Sequence, residues 1–130
     1  MILGVGTDIC DIRRIEQIMN SKGQRFLDKT FTPSEQAYCD TKARPAMCYA
    51  KRFAAKEAVA KAIAGQDTGA LPWHSVEVVN DASGRPRAVL TGPALERARG
   101  AVVHISLSDD YPYATAFAVA EASTSAKRGS

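Results

Sequence analysis

Histidine and cysteine are both scarce in this chain, two and three among 130 residues. The thiols, Cys10, Cys39 and Cys48, are odd in number and lack CxxC spacing. They make neither a disulfide framework nor, with only His74 and His104 to help, a zinc cage. Three buried structural thiols are therefore expected. Long apolar runs are also missing. No stretch approaches the roughly 18 uninterrupted apolar residues of a membrane helix. The apolar opening, Met1 to Gly6, has no basic segment and meets Asp8 at once, unlike a signal peptide. Strong net charge is absent too: 17 basic against 14 acidic side chains leave +3. That falls short of the basic stripe of a nucleic-acid binder. No Walker or Rossmann loop is present, and Gly4-Val5-Gly6 is too short a match to count. The expectation is a small soluble chain in the cytoplasm, with neither membrane nor nucleic acid as partner.

What is there suits one folded unit. A chain of 13.9 kDa that is 45% hydrophobic can build a single core. Charge is uneven, however: residues 1–66 hold 11 Lys or Arg against 7 Asp or Glu, and the remainder 6 against 7. An acidic partner is thus more readily met by the first half. Period-two alternation marks a strand from Ile2 to Ile9, with Leu3, Val5, Thr7 and Ile9 on the face expected to be core. Gly4 and Gly6 strip the other face, which implies a close approach there. Ile12, Ile15, Ile18 and Met19 have helical spacing over Asp11 to Asn20. Thr32-Pro33-Ser34-Glu35 is a capping box that starts a helix ending near Ala43. An alanine-rich helix follows from Pro45 to Ala64, stopped by Gly65. Strands at Ser75–Asn80 and Pro86–Thr91 flank a turn at Asp81–Arg85. A short helix runs from Gly92 to Arg99, then strands at Val102–Ser108 and Ala114–Ala120. The pattern predicts an α+β domain over 1–122, an antiparallel sheet against a long helix, and a flexible tail at 123–130.

Several side chains could carry chemistry. Asp8 ends an apolar strand beside two glycines, where it either holds a hard cation or caps the next helix. Glu57 shares a helical stripe with Ala50, Phe53, Ala54 and Lys61. It is either a second cation ligand or half of an exposed pair with Lys61. Arg52 and Lys56, on an adjacent side, form either a solvated basic face or an anion site. In Val102–Ser108, alternation puts His104, Ser106 and Ser108 on a polar face that is structural or receives phosphate oxygens. Two carboxylates, several cations and a Ser/His face together fit magnesium-assisted phosphoryl transfer.

In combination these motifs are more specific. Gly6-Thr7-Asp8-Ile9 with Arg14-Ile15, Phe31-Thr32-Pro33-Ser34-Glu35 with Tyr38, and Arg52-Phe53-Ala54-Ala55-Lys56-Glu57-Ala58 with Lys61 stand in one order with Gly84-Arg85-Pro86 and His104-Ile105-Ser106-Leu107-Ser108-Asp109. The chain so resembles the holo-[acyl-carrier-protein] synthase family, the short type of 4'-phosphopantetheinyl transferase, from residue 2 to about 121. The resemblance implies that fold and the transfer of 4'-phosphopantetheine from coenzyme A to a serine of apo acyl carrier protein, in fatty acid biosynthesis. It implies Mg²⁺ on Asp8 and Glu57, with Lys61 as third catalytic residue, neutralising the diphosphate. Arg52, Lys56, His104 and Ser106 become candidates for phosphate contacts, and Gly84, Arg85 and Pro86 for the adenosine end. A homotrimer with active sites between protomers is implied as well. Arg13, Arg14, Lys22, Arg25 and Lys29, with Met19 and Phe26 between them, become candidates for docking the acidic carrier.

Overall fold

Helix α3 (Pro45–Ile63) is the element against which the rest is laid, and its sequence explains why. Ala50, Ala54, Ala55, Ala58 and Ala62 are all buried along it. Such small side chains let a helix lie close to a sheet. The sheet answers with Ala114, Ala116, Ala118 and Ala120, also buried. This computed structural model describes residues 1–67 and 69–123. Strand β1 (Ile2–Asp11) leads into α1 (Ile12–Thr30), α2 (Pro33–Asp40) and α3. A 3₁₀ turn (Trp73–Ser75), β2 (Val76–Asn80), β3 (Pro86–Leu90), α4 (Gly92–Ala98), β4 (Val102–Asp110) and β5 (Tyr113–Glu121) complete the order.

The class is α+β with antiparallel pairing, as expected, but the strands form two sheets. One is three-stranded in the order β1-β5-β4, and β2 with β3 makes the other. The helices keep most of their expected starts. Asp11 caps α1 by accepting from the Arg13 backbone N–H, and Thr32 and Glu35 form the capping box of α2. Helix α1 runs ten residues beyond the expected Asn20, through a kink at Gly23 where φ is 48°. Leu27 and Thr30 are buried beyond that kink, so tertiary packing carries the helix past its breaker.

Two expectations are corrected. The faces of β1 are reversed: Leu3, Val5 and Ile9 are 51–62% exposed, and the glycine face is the packed one. Alternation separates two faces without saying which meets a neighbour. A Cβ at Gly4 would overlap the Ala62 carbonyl oxygen, and one at Gly6 the Ala58 oxygen, so the close approach expected at these glycines is made by α3 itself. The cysteines are all buried, yet Cys39 and Cys48 are joined, with their Cα atoms 5.4 Å apart. The short connection from α2 to α3 brings the two helices side by side, which their separation of nine residues concealed. Cys10 alone is a free buried thiol, its pKa pushed up to about 11 chiefly by burial. Beyond Ser123 the expected tail lies outside the described residues.

Candidate active site

The bare glycine face of β1 decides where Asp8 points. Asp8 shares that face with Gly4 and Gly6, so its carboxylate emerges where α3 crosses the strand. Asp8 does not cap α1, since Asp11 fills that role. Lys61 reaches across from α3: its Nζ lies 3.2 Å from Asp8 Oδ1 and donates to the Thr7 carbonyl at 2.8 Å. Glu57 stands one turn earlier on the same side of the helix and is half-buried. Its pKa is raised, first by burial and then by the Asp8 charge, against the pull of Lys61. The ion pair is therefore Lys61 with Asp8, not the exposed Glu57–Lys61 pair that spacing alone allowed. Among the described residues, Glu57 thus stands beside the Asp8 carboxylate with no cation of its own in contact. A hard divalent cation fits such a donor set, and among the described residues no third acid or histidine joins them.

Arg52 and Lys56 are not a solvated face, since each is only 3% exposed. Arg52 donates to Asn80 Oδ1 at 2.7 Å, and its guanidinium lies 4.4 Å from the Tyr38 ring centroid. Its buried Nε has no partner. Burial is the main force lowering its pKa. Asn80 also donates to the Gly84 carbonyl at 3.0 Å, which ties the β2–β3 turn to Arg52. Arg52, Gly84 and Pro86 consequently line one cavity of about 550 Å³, together with Tyr38, Lys42 and Lys51. Sequence reasoning gave Lys42, Lys51 and Asn80 no role. The dibasic Lys42-Ala43-Arg44 loop before Pro45 was the available signal for a cationic rim. Arg85 and His104 line a different cavity, of about 540 Å³, between β3 and β4.

Lys56, a candidate phosphate contact, turns its ammonium into the protein. Its Nζ pairs with Glu35 Oε1 at 2.8 Å and donates to the carbonyls of Trp73, at 3.0 Å, and Val76. An ammonium has three protons, and all three are engaged inside the protein. A third cavity, of about 370 Å³, opens beside Glu57 and Lys61, with Leu71, Pro72 and Trp73 as its far wall.

His104 and Ser106 do not join the carboxylates. In the β4–β5–β1 register, His104 faces Val119 and Ser106 faces Phe117, whereas Asp8 lies opposite Ala116. Strand alternation thus puts them on the opposite side of the sheet from Asp8. His104 Nε2 is 3.0 Å from Glu121 Oε1, and both side chains are exposed. The same side carries Val5, Ile9, Val102, Tyr113 and Phe117, all 45–62% exposed. Along α1, Arg14, Lys22, Arg25 and Lys29 are exposed as expected. Arg13 is engaged by Asp11 at 2.7 Å. Phe26 is half-buried, its ring 6.0 Å from Phe31 and 6.4 Å from Phe53.

Residues 4–116 match the model of the 4'-phosphopantetheinyl transferase superfamily. A holo-[acyl-carrier-protein] synthase of Methylobacterium sp. (strain 4-46) is 47% identical over 129 residues, covering 94% of this chain and 96% of its own. The crystal structure of holo-[acyl-carrier-protein] synthase from Neisseria meningitidis superposes with a TM-score of 0.81 at 38% identity, over 93% of this chain and 99% of that one. The corresponding synthase from Bacillus anthracis str. Ames, in complex with CoA (3',5'-ADP), gives 0.78 at 31% identity, over 95% and 99%.

Proposed function

The chain belongs to the 4'-phosphopantetheinyl transferase superfamily, within its holo-[acyl-carrier-protein] synthase family, and from that premise we propose that it moves 4'-phosphopantetheine from coenzyme A to a serine of apo acyl carrier protein with Mg²⁺ as cofactor. The observation that carries this reading is the meeting of Asp8, Glu57 and Lys61 where β1 crosses α3. Asp8 and Glu57 would hold the ion, the coenzyme's diphosphate and waters completing its shell. Bound there, Mg²⁺ supplies charge neutralisation at the phosphate oxygens. Lys61 adds positive charge at the leaving oxygens. The carrier serine oxygen bonds to the phosphorus next to pantetheine, and the bond from that phosphorus to the bridging oxygen breaks. Adenosine 3',5'-bisphosphate departs, and the serine proton passes to Glu57 or to solvent.

The coenzyme's nucleotide end fits the cationic cavity of Arg52, Lys42, Lys51, Gly84 and Pro86. Its pantetheine arm fits the smaller cavity beside Glu57. The exposed apolar sheet face supports a homotrimer in which a neighbour's His104, Ser106 and Arg85 complete the phosphate contacts. The cationic side of α1, with Arg14, Lys22, Arg25, Lys29 and Phe26, is read as the dock for the acidic carrier. Fatty acid biosynthesis in the cytoplasm is the proposed setting. No helix among the described residues is long and apolar enough to cross a membrane. Incubation with apo acyl carrier protein, coenzyme A and Mg²⁺, followed by mass spectrometry of the carrier, tests the proposal. The expected result is a phosphopantetheine adduct that chelation abolishes and Mg²⁺ restores. An unmodified carrier would remove the function.

A further inference from the structure

Glu35 and Lys56 form the most deeply buried charged pair described, and the transfer reaction as drawn above uses neither. Glu35 is 0% exposed. Its Oε1 accepts from the Thr32 backbone N–H at 2.9 Å and its Oε2 from the Val78 N–H at 2.8 Å. Lys56 completes the carboxylate's partners and spends its other two protons on the Trp73 and Val76 carbonyls. A buried ion pair of this kind is weak evidence for stability, because desolvation offsets its attraction. Its other effect is geometric. The two carbonyls belong to the wall of the cavity that opens beside Glu57, and Lys56 is Glu57's neighbour in sequence. The same wall has a second brace, the Trp73 ring stacked on Phe53 with centroids 5.0 Å apart.

We propose that Lys56, held by Glu35, is a positioning residue: it pins the Leu71–Trp73 wall over Glu57 and so shapes the channel for the coenzyme's pantetheine arm, without touching the coenzyme. The assignment to the arm rests on the transferase reading above. The pinning of the wall does not. Glu35 is thereby given a task beyond its capping box, and α2, α3 and the start of β2 are joined at one point.

Trp73 is the single tryptophan, so its fluorescence reports the wall directly. The test compares the full-length protein with a Glu35→Gln/Lys56→Met double variant, which removes both charges together. The expected result is a red-shifted Trp73 emission and stronger acrylamide quenching, with far-UV circular dichroism and a cooperative melt retained. The KM for coenzyme A should rise about tenfold, the size of one lost hydrogen bond to a charged group, with kcat changed less. Affinity for adenosine 3',5'-bisphosphate, which has no pantetheine arm, should stay at the wild-type value. Unchanged emission and quenching would overturn the pinning of the wall. An equal loss of affinity for coenzyme A and the bisphosphate would overturn the indirect role and make Lys56 a phosphate ligand. If the double variant does not fold, Lys56→Arg keeps Glu35 paired and should show the same changes at smaller size. Wild-type values in Lys56→Arg would then reject the proposal. A wild type that transfers nothing would reject the transferase reading, while the fluorescence comparison would still decide the wall.

Discussion

Asp8 and Glu57 sit on different elements, and the proposed reaction needs them at one point. Replacing either by alanine leaves a single carboxylate beside Lys61. Asp8→Ala and Glu57→Ala are each expected to lower kcat/KM by about a hundredfold or more, close to 3 kcal/mol of transition-state stabilisation. Circular dichroism should show the fold intact, because neither side chain belongs to the buried core. Near-normal turnover in both variants would remove them from the metal site. These residues were legible in the sequence because a carboxylate after Gly6 and a Glu–Lys pair one helical turn apart are local patterns. Lys56 was not legible, although it adjoins Glu57. Helical spacing gives the direction of a side chain but not what lies beyond it, and the partners of Lys56 come from residues 35, 73 and 76. Glu35 was hidden differently: its capping-box pattern already accounted for it.

Strand β1 and helix α3 work as one unit because two glycines let backbone meet backbone. Gly6 is the sharper case, since a Cβ there would overlap the Ala58 oxygen and crowd Lys61 Cβ at 2.9 Å. Gly6→Ala should destabilise the protein by about 1–3 kcal/mol, the usual range for overpacking. It should also lower kcat by shifting Lys61 and Glu57 away from Asp8. A denaturant melt and a rate measurement on the folded fraction check the two effects separately. Alternation in β1 and β4 was readable, and in β4 the faces matched. In β1 the branched residues looked like core, and only the proximity of α3 shows that the glycines are. Helix α1 presents its cations outward, so Arg14→Glu should raise the KM for the carrier more than that for coenzyme A. Raised salt should weaken carrier binding too, since exposed charges are screened beyond about 8 Å at physiological ionic strength. Equal effects on both substrates, or salt-independent binding, would speak against docking on α1.

At the scale of the whole molecule, one sheet face packs on α3 and the other is bare. Val5, Ile9, Tyr113 and Phe117 lie exposed on it beside His104 and Ser106. Sequence patterning found both sides of β4, but which side a helix covers depends on the packing of α3, which lies far off in sequence. For the proposed homotrimer, Phe117→Arg should give monomers in analytical ultracentrifugation and abolish transfer, with Asp8, Glu57 and Lys61 untouched. A fully active monomer would show that one copy suffices. The bare face also has a consequence in dilute solution. If each site is built from two copies, catalytic capacity depends on how many protein molecules share the volume. Specific activity should then fall as the protein is diluted below its dissociation constant and return when it is concentrated again. A cell making few copies would lose more than proportional activity.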